Sequence, residues 1–171
     1  MHNSPVTLYL VRHGLAEERG DRFPDDSVRP LTGEGIGRLE EEAQGLRVLE
    51  VEFDEILTSP YTRARQTAET LARGWAPSPR VSDVDALAPG ATFDDLLEAL
   101  GSRSGRRHLA LVGHEPDMGQ LAARLIGARR AIAFKKGAVC CIEVPGLPPA
   151  GLGTLQWFLP PRILRRIGRR G

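Results

Sequence analysis

The chain has 171 residues, 41% hydrophobic and 26% charged, which is ordinary for a globular protein and enough to bury the core of one domain. A net charge of +1 excludes a global field that would recruit nucleic acid or a membrane surface. No segment reaches the roughly 20 consecutive apolar residues of a membrane span.

From the N-terminus, Met1-His2-Asn3-Ser4-Pro5 lacks the basic and apolar parts of a secretory signal. The run Val6–Val11 predicts a buried strand that stops at Arg12-His13-Gly14. Glu17–Arg29 is polar and predicts a surface loop near that strand's end. Thr32 can cap a helix whose apolar residues Ile36, Leu39, Ala43 and Leu46 step by three and four, with Gly33, Gly35 and Gly37 weakening its start. A strand over Phe53–Leu57 leads into a helix over residues 60–73, with Thr58 or Ser59 as cap and Pro60 at the first helical position. Arg80–Val84 reads as a strand. Thr92 and Asp95 form a capping-box pattern ahead of Leu96, Leu97 and Leu100.

Another strand, His108–Val112, precedes a helix over Asp117–Ile126. The last two strands, Val139–Val144 and Thr154–Leu159, are separated only by Pro145–Gly153, which suits an antiparallel hairpin. Trp157, Phe158 and Leu155 read as core or edge packing, and a basic terminal helix should pack down Ile163, Leu164 and Ile167. Cys140 and Cys141 are adjacent, so they should face opposite sides of one strand, buried and inert, with no zinc-type spacing. The alternation predicts a single three-layer α/β domain over residues 1–171. Its sheet is mostly parallel, with helices on both faces and the antiparallel hairpin at the C-terminal edge.

Three strand ends carry candidate chemistry. In open α/β sheets ligands bind outside the carboxyl ends of strands. Arg12-His13-Gly14 presents a guanidinium, an imidazole and bare backbone at such an end. Arg63 falls near the first turn of the following helix, where free N–H groups and the helix dipole favour anions. Alone, Arg63 also reads as solvated or paired with Glu69. Val112-Gly113-His114 repeats the strand, glycine, histidine pattern. Two histidines and two arginines together would make a cationic pocket for a phosphoryl group, with Gly14 giving backbone access. Neighbouring guanidinium charges should keep His13 neutral and nucleophilic. A bound phosphate could in turn protonate His114, and the arginines would supply the charge stabilisation that a metal supplies elsewhere.

Leu10-Val11-Arg12-His13-Gly14, Arg29-Pro30-Leu31-Thr32-Gly33-Glu34-Gly35, Ser59 to Ala68 (SPYTRARQTA) and Val112-Gly113-His114 together resemble the histidine phosphatase (phosphoglycerate mutase-like) superfamily, in that family's order. The resemblance implies that His13 is transiently phosphorylated and that Arg12, Arg63 and His114 complete the phosphate pocket. The pattern is most similar to the SixA-type phosphohistidine phosphatase branch. Larger members place a carboxylate general acid after the third strand, whereas Val84 to Thr92 here offers none in that place. An alkoxide leaving group needs such an acid, commonly worth about 10²–10⁴ in rate, while an imidazole leaving from a P–N bond needs it less. Asp85, Glu17 and Glu115 are the carboxylates left to fill the role.

The sequence therefore predicts a cytoplasmic, metal-independent phosphatase without cofactor, acting on a phosphorylated protein or a small phosphate-containing substrate, with no nucleic-acid or membrane partner. The alternatives are a small-molecule phosphomonoesterase and a catalytically silent phosphate-binding module. The oligomeric state stays open.

Overall fold

The computed structural model describes residues 4–171, so the reading of Met1, His2 and Asn3 lies outside the described residues. Six strands form one sheet: β1 (Val6–Arg12), β2 (Glu55–Thr58), β3 (Arg80–Asp83), β4 (His108–Gly113), β5 (Val139–Val144) and β6 (Thr154–Leu159). Their order is β3-β2-β4-β1-β5-β6. The first four are mutually parallel, while β5 runs antiparallel to β1 and to the edge strand β6. The mostly parallel sheet and its edge hairpin match the sequence expectation.

Side chains that alternate along each strand separate two cores. Leu8 and Leu10 of β1, Leu109 and Leu111 of β4, and Cys140 and Ile142 of β5 face α3 (Phe93–Gly101) and α4 (Asp117–Ile126). Tyr9, Val11, Ala110, Val112, Val139 and Cys141 face α1 (Gly33–Val48), α2 (Thr62–Ala72) and α5 (Pro161–Gly168). The two cysteines are free and buried on opposite faces, and burial pushes both thiols up to about 12. Each fully buried leucine contributes about 1.5–3 kcal/mol of transfer free energy.

Local signals set the helix starts. Thr32 accepts the Gly35 N–H at 2.9 Å, and Thr92 with Asp95 forms the reciprocal capping box. Gly35 is there for approach: a Cβ on it would lie 2.1 Å from the Leu15 carbonyl oxygen. The α1 start therefore seats directly on the loop that follows β1.

Four expectations need correction. β2 begins at Glu55, because Phe53 packs its ring on Tyr9 and Trp75 while the Asp54 carboxylate caps the His108 N–H. Helix α2 begins at Thr62 after Tyr61, so neither Thr58 nor Ser59 caps it and Pro60 lies outside. Residues 17–29 are not merely a surface loop, since Asp26–Val28 form a 3₁₀ turn and Arg29 is buried beside it. In α5 the buried stripe is Pro161 and Leu164, leaving Ile163 37% exposed. At the edge, Trp157 tilts against Tyr9 and Phe158 meets Phe134 edge-on, while Leu155 is exposed. Among the described residues no helix is long and apolar enough to cross a membrane.

Candidate active site

β2, β4 and β1 are neighbours in the sheet, so their carboxyl ends deliver three loops to one place. The pairing runs past the strands: His13 N–H bonds Gly113 O at 3.0 Å and Ser59 N–H bonds Val112 O at 2.9 Å. Arg12, His13, Arg63 and His114 all line one cavity of about 510 Å³. The four residues selected from sequence are therefore brought together. Gly14, expected to offer its backbone to the phosphate, is not among the residues lining this cavity, because its N–H donates to Thr67 Oγ1 at 3.0 Å.

His13 is 5% exposed, and its Nδ1 lies 2.8 Å from the Gly14 carbonyl oxygen. A carbonyl only accepts, so Nδ1 carries the proton and Nε2 keeps its lone pair. Arg63 Nε donates towards that Nε2 at 3.4 Å. Burial is the main reason the His13 pKa falls to about 3, with His114, Arg63 and Arg12 lowering it further. This corrects the sequence reading, which credited the arginines first. His114 is likewise lowered to about 4, mainly by burial and then by Arg63. Its Nε2 hydrogen-bonds Ser59 Oγ at 2.8 Å, and its ring centroid is 5.2 Å from that of His13.

Arg63 is 2% exposed and is not paired with Glu69, which binds Arg65 instead. Its Nη2 donates to the Asp26 carboxylate at 2.9 Å and its Nη1 to the Asp26 backbone oxygen at 2.8 Å. The same carboxylate takes Arg29 Nε at 2.9 Å and Arg19 Nε at 3.2 Å. Arg12 is anchored from the other side, Nη1 donating to Phe134 O at 2.7 Å. Tyr61 closes the wall, its ring against His114 and under the Arg63 guanidinium.

Asp26, Arg29, Ser59, Tyr61 and Thr67 were not selected from sequence. The only signal for any of them is that Arg29, Ser59, Tyr61 and Thr67 fall inside the motif segments. Of the three carboxylates weighed as acids, Glu17 and Glu115 line the cavity and Asp85 does not. Glu115 is tied down as an acceptor for the Gly119 N–H at 2.8 Å, and burial raises its pKa. The segment after β3 contributes Pro89 to the cavity wall and no carboxylate. Among the described residues no three His, Cys, Asp or Glu side chains group as metal ligands would.

A mixed α/β sheet with two arginines and two histidines converging at its strand ends defines a phosphoryl-handling enzyme. The chain belongs to the histidine phosphatase superfamily (branch 1), whose family model matches residues 8–88, and it is a phosphatase. It is 28% identical over 163 residues to phosphohistidine phosphatase SixA of Escherichia coli, covering 94% of this chain and 97% of that one. An uncharacterized protein of Picosynechococcus is 43% identical over 132 residues, covering 75% of this chain and 74% of that one. The solved structure of the protein histidine phosphatase SixA complexed with tungstate matches with a TM-score of 0.81 at 27% identity, covering 93% of this chain and 99% of that one.

Proposed function

We propose that this phosphatase hydrolyses phosphohistidine on a protein through a phosphohistidine of its own at His13. The observation that carries the reading is the Nδ1–H to Gly14 bond, which leaves the His13 Nε2 lone pair directed into a pocket held by Arg12, Arg63 and His114. The Nε2 lone pair forms a bond to phosphorus as the substrate's P–N bond breaks. The electron pair of that bond stays on the departing imidazole, which leaves neutral when its other ring nitrogen carries a proton. Water then attacks phosphorus in line, returning the electron pair to Nε2 and giving inorganic phosphate. Arg12, Arg63 and a His114 protonated by the bound anion meet the charge on the equatorial oxygens. The proposed reaction uses no metal, and a cytoplasmic location belongs to the same proposal.

Two features support a P–N substrate over a phosphomonoester. Pro89 stands in the wall where the superfamily's larger members would offer an acid. Of the two carboxylates weighed as acids that line the cavity, Glu115 accepts the Gly119 N–H while Glu17 faces Arg22 at 4.0 Å. A substrate panel separates the readings. Phosphoramidate and a phosphohistidine peptide should turn over at least about 10²-fold faster than p-nitrophenyl phosphate or sugar phosphates. Rapid ester hydrolysis with an idle phosphohistidine peptide would establish the phosphomonoesterase instead.

A further inference from the structure

Beside the catalytic cavity lies a larger cleft of about 720 Å³, between the turn Asp85–Leu87 with α3 on one side and α4 on the other. The two are close neighbours through a thin partition. Pro89 lines the catalytic cavity and Ala91 lines the cleft, with the Gly90 N–H between them bonded to Asp117 at 3.3 Å. Leu87, Leu96, Met118 and Leu121 lie behind the lining as buried core residues, so the apolar surface that the cleft presents comes from the half-buried Phe93 ring and from Ala91, Ala128 and Ala131, among polar neighbours.

Its rim is cationic. Arg124 lies over the Phe93 ring, and Arg129 and Arg130 are exposed on the loop that leaves α4. The same loop continues to Lys135 and to Lys136 at the catalytic mouth. Among the described residues none of these five cations forms an ion pair, whereas the arginines around Asp26 are all committed. Two acidic groups also line the cleft. Asp117 is occupied by the Gly90 N–H, and Asp94 sits in the first turn of α3, where it complements the helix dipole.

We propose that this cleft docks an acidic, partly apolar segment of the substrate protein next to its phosphohistidine. The inference rests on the phosphohistidine reading above and adds how a protein substrate is chosen. Unpaired exposed cations leading from the cleft to the catalytic mouth are complementary to carboxylates, and the Phe93 ring with the alanines beside it can take an apolar side chain between them. Such complementarity raises encounter rates and fixes orientation. A small phosphoramidate occupies only the catalytic cavity and gains nothing from it.

The test uses two phosphohistidine peptides of equal length, one flanked by Asp and Leu, the other by Lys and Leu, with phosphoramidate as the small substrate. The full chain should prefer the acidic peptide by about tenfold in kcat/KM, through KM and weakening with salt. The Arg129→Glu/Arg130→Glu variant should lose that preference and still turn over phosphoramidate at the unaltered rate, which also shows that it folds. Equal use of both peptides by the unaltered chain would overturn the docking assignment. So would a variant that slows phosphoramidate as much as the acidic peptide. Competition by a DNA oligonucleotide as effective as by polyaspartate would also overturn it, marking an unselective polyanion patch. If neither peptide nor phosphoramidate is hydrolysed, the phosphohistidine reading itself fails and the docking assignment falls with it.

Discussion

At the scale of single residues, the site depends on groups that fix other groups. Gly14 O holds the His13 ring through Nδ1, and Ser59 holds the His114 ring through Nε2. Asp26 holds Arg63 with both its carboxylate and its backbone oxygen. Asp26→Ala should therefore lower kcat/KM for phosphoramidate by about 10–10²-fold, since small misplacements of a positioned group cost that much. Asp26→Asn should recover part of the loss, because the amide oxygen still accepts from arginine. Steady-state kinetics of the two variants checks this, and an Asp26→Ala enzyme with unaltered kinetics would contradict it. His13, Arg12, Arg63 and His114 were legible in the sequence because each sits at a fixed offset from a recognisable strand end. Asp26 was not. Its partner Arg63 is 37 positions away, and nothing in a polar loop signals that it folds back over the site.

At the scale of elements, α5 seals the face that α1 and α2 build against the sheet. A Cβ at Gly45 in α1 would lie 2.2 Å from the Leu164 carbonyl oxygen of α5, so the two backbones touch there. Helix propensity alone favours Gly→Ala by about 0.5–1 kcal/mol. At Gly45 the clash is with backbone and outweighs that gain, so Gly45→Ala should destabilise by about 1–3 kcal/mol. Gly37, also in α1, has open space around its Cβ position, and Gly37→Ala should stabilise by about 0.5–1 kcal/mol. Urea unfolding of the two variants checks both signs, and a stabilised Gly45→Ala would contradict the packing account. The Thr32 and Thr92 caps were legible because capping is local. Burial of Leu164 in α5 was legible too, whereas the exposure of Ile163 was not, since which flank of that stripe is covered depends on where α1 lies.

At the scale of the whole molecule, burying the site makes stability depend on pH. The His13 and His114 pKa values fall from the ordinary 6.5 to about 3 and about 4, so below 6.5 the unfolded chain binds protons that the fold refuses. Their contribution is complete above pH 6.5 and is lost as pH falls through about 4 for His114 and about 3 for His13. Glu42 works in the opposite direction. It is 3% exposed, and burial pushes its carboxyl up to about 8 in spite of the 2.8 Å bond from Arg165. Its contribution is complete below the ordinary 4.5 and is lost as pH rises through about 8. Urea midpoints should therefore peak near pH 6.5, with the acid limb flattened in His13→Gln/His114→Gln and the alkaline limb in Glu42→Gln. An acid limb of unchanged slope in the double variant would contradict this. The two-faced sheet was legible from the spacing of apolar runs. Glu42 was not, because its position on α1 looks like one more surface glutamate until α5 covers it.

In the proposed reaction His13 carries the phosphoryl group between substrate and water. Rapid quenching of the enzyme with radiolabelled phosphoramidate, followed by peptide mapping, tests it most directly. A base-stable, acid-labile phosphoryl adduct should form on His13, decay within the time of one turnover and be absent from His13→Asn. Full turnover with no such adduct, or an adduct on another residue that persists in His13→Asn, would contradict it.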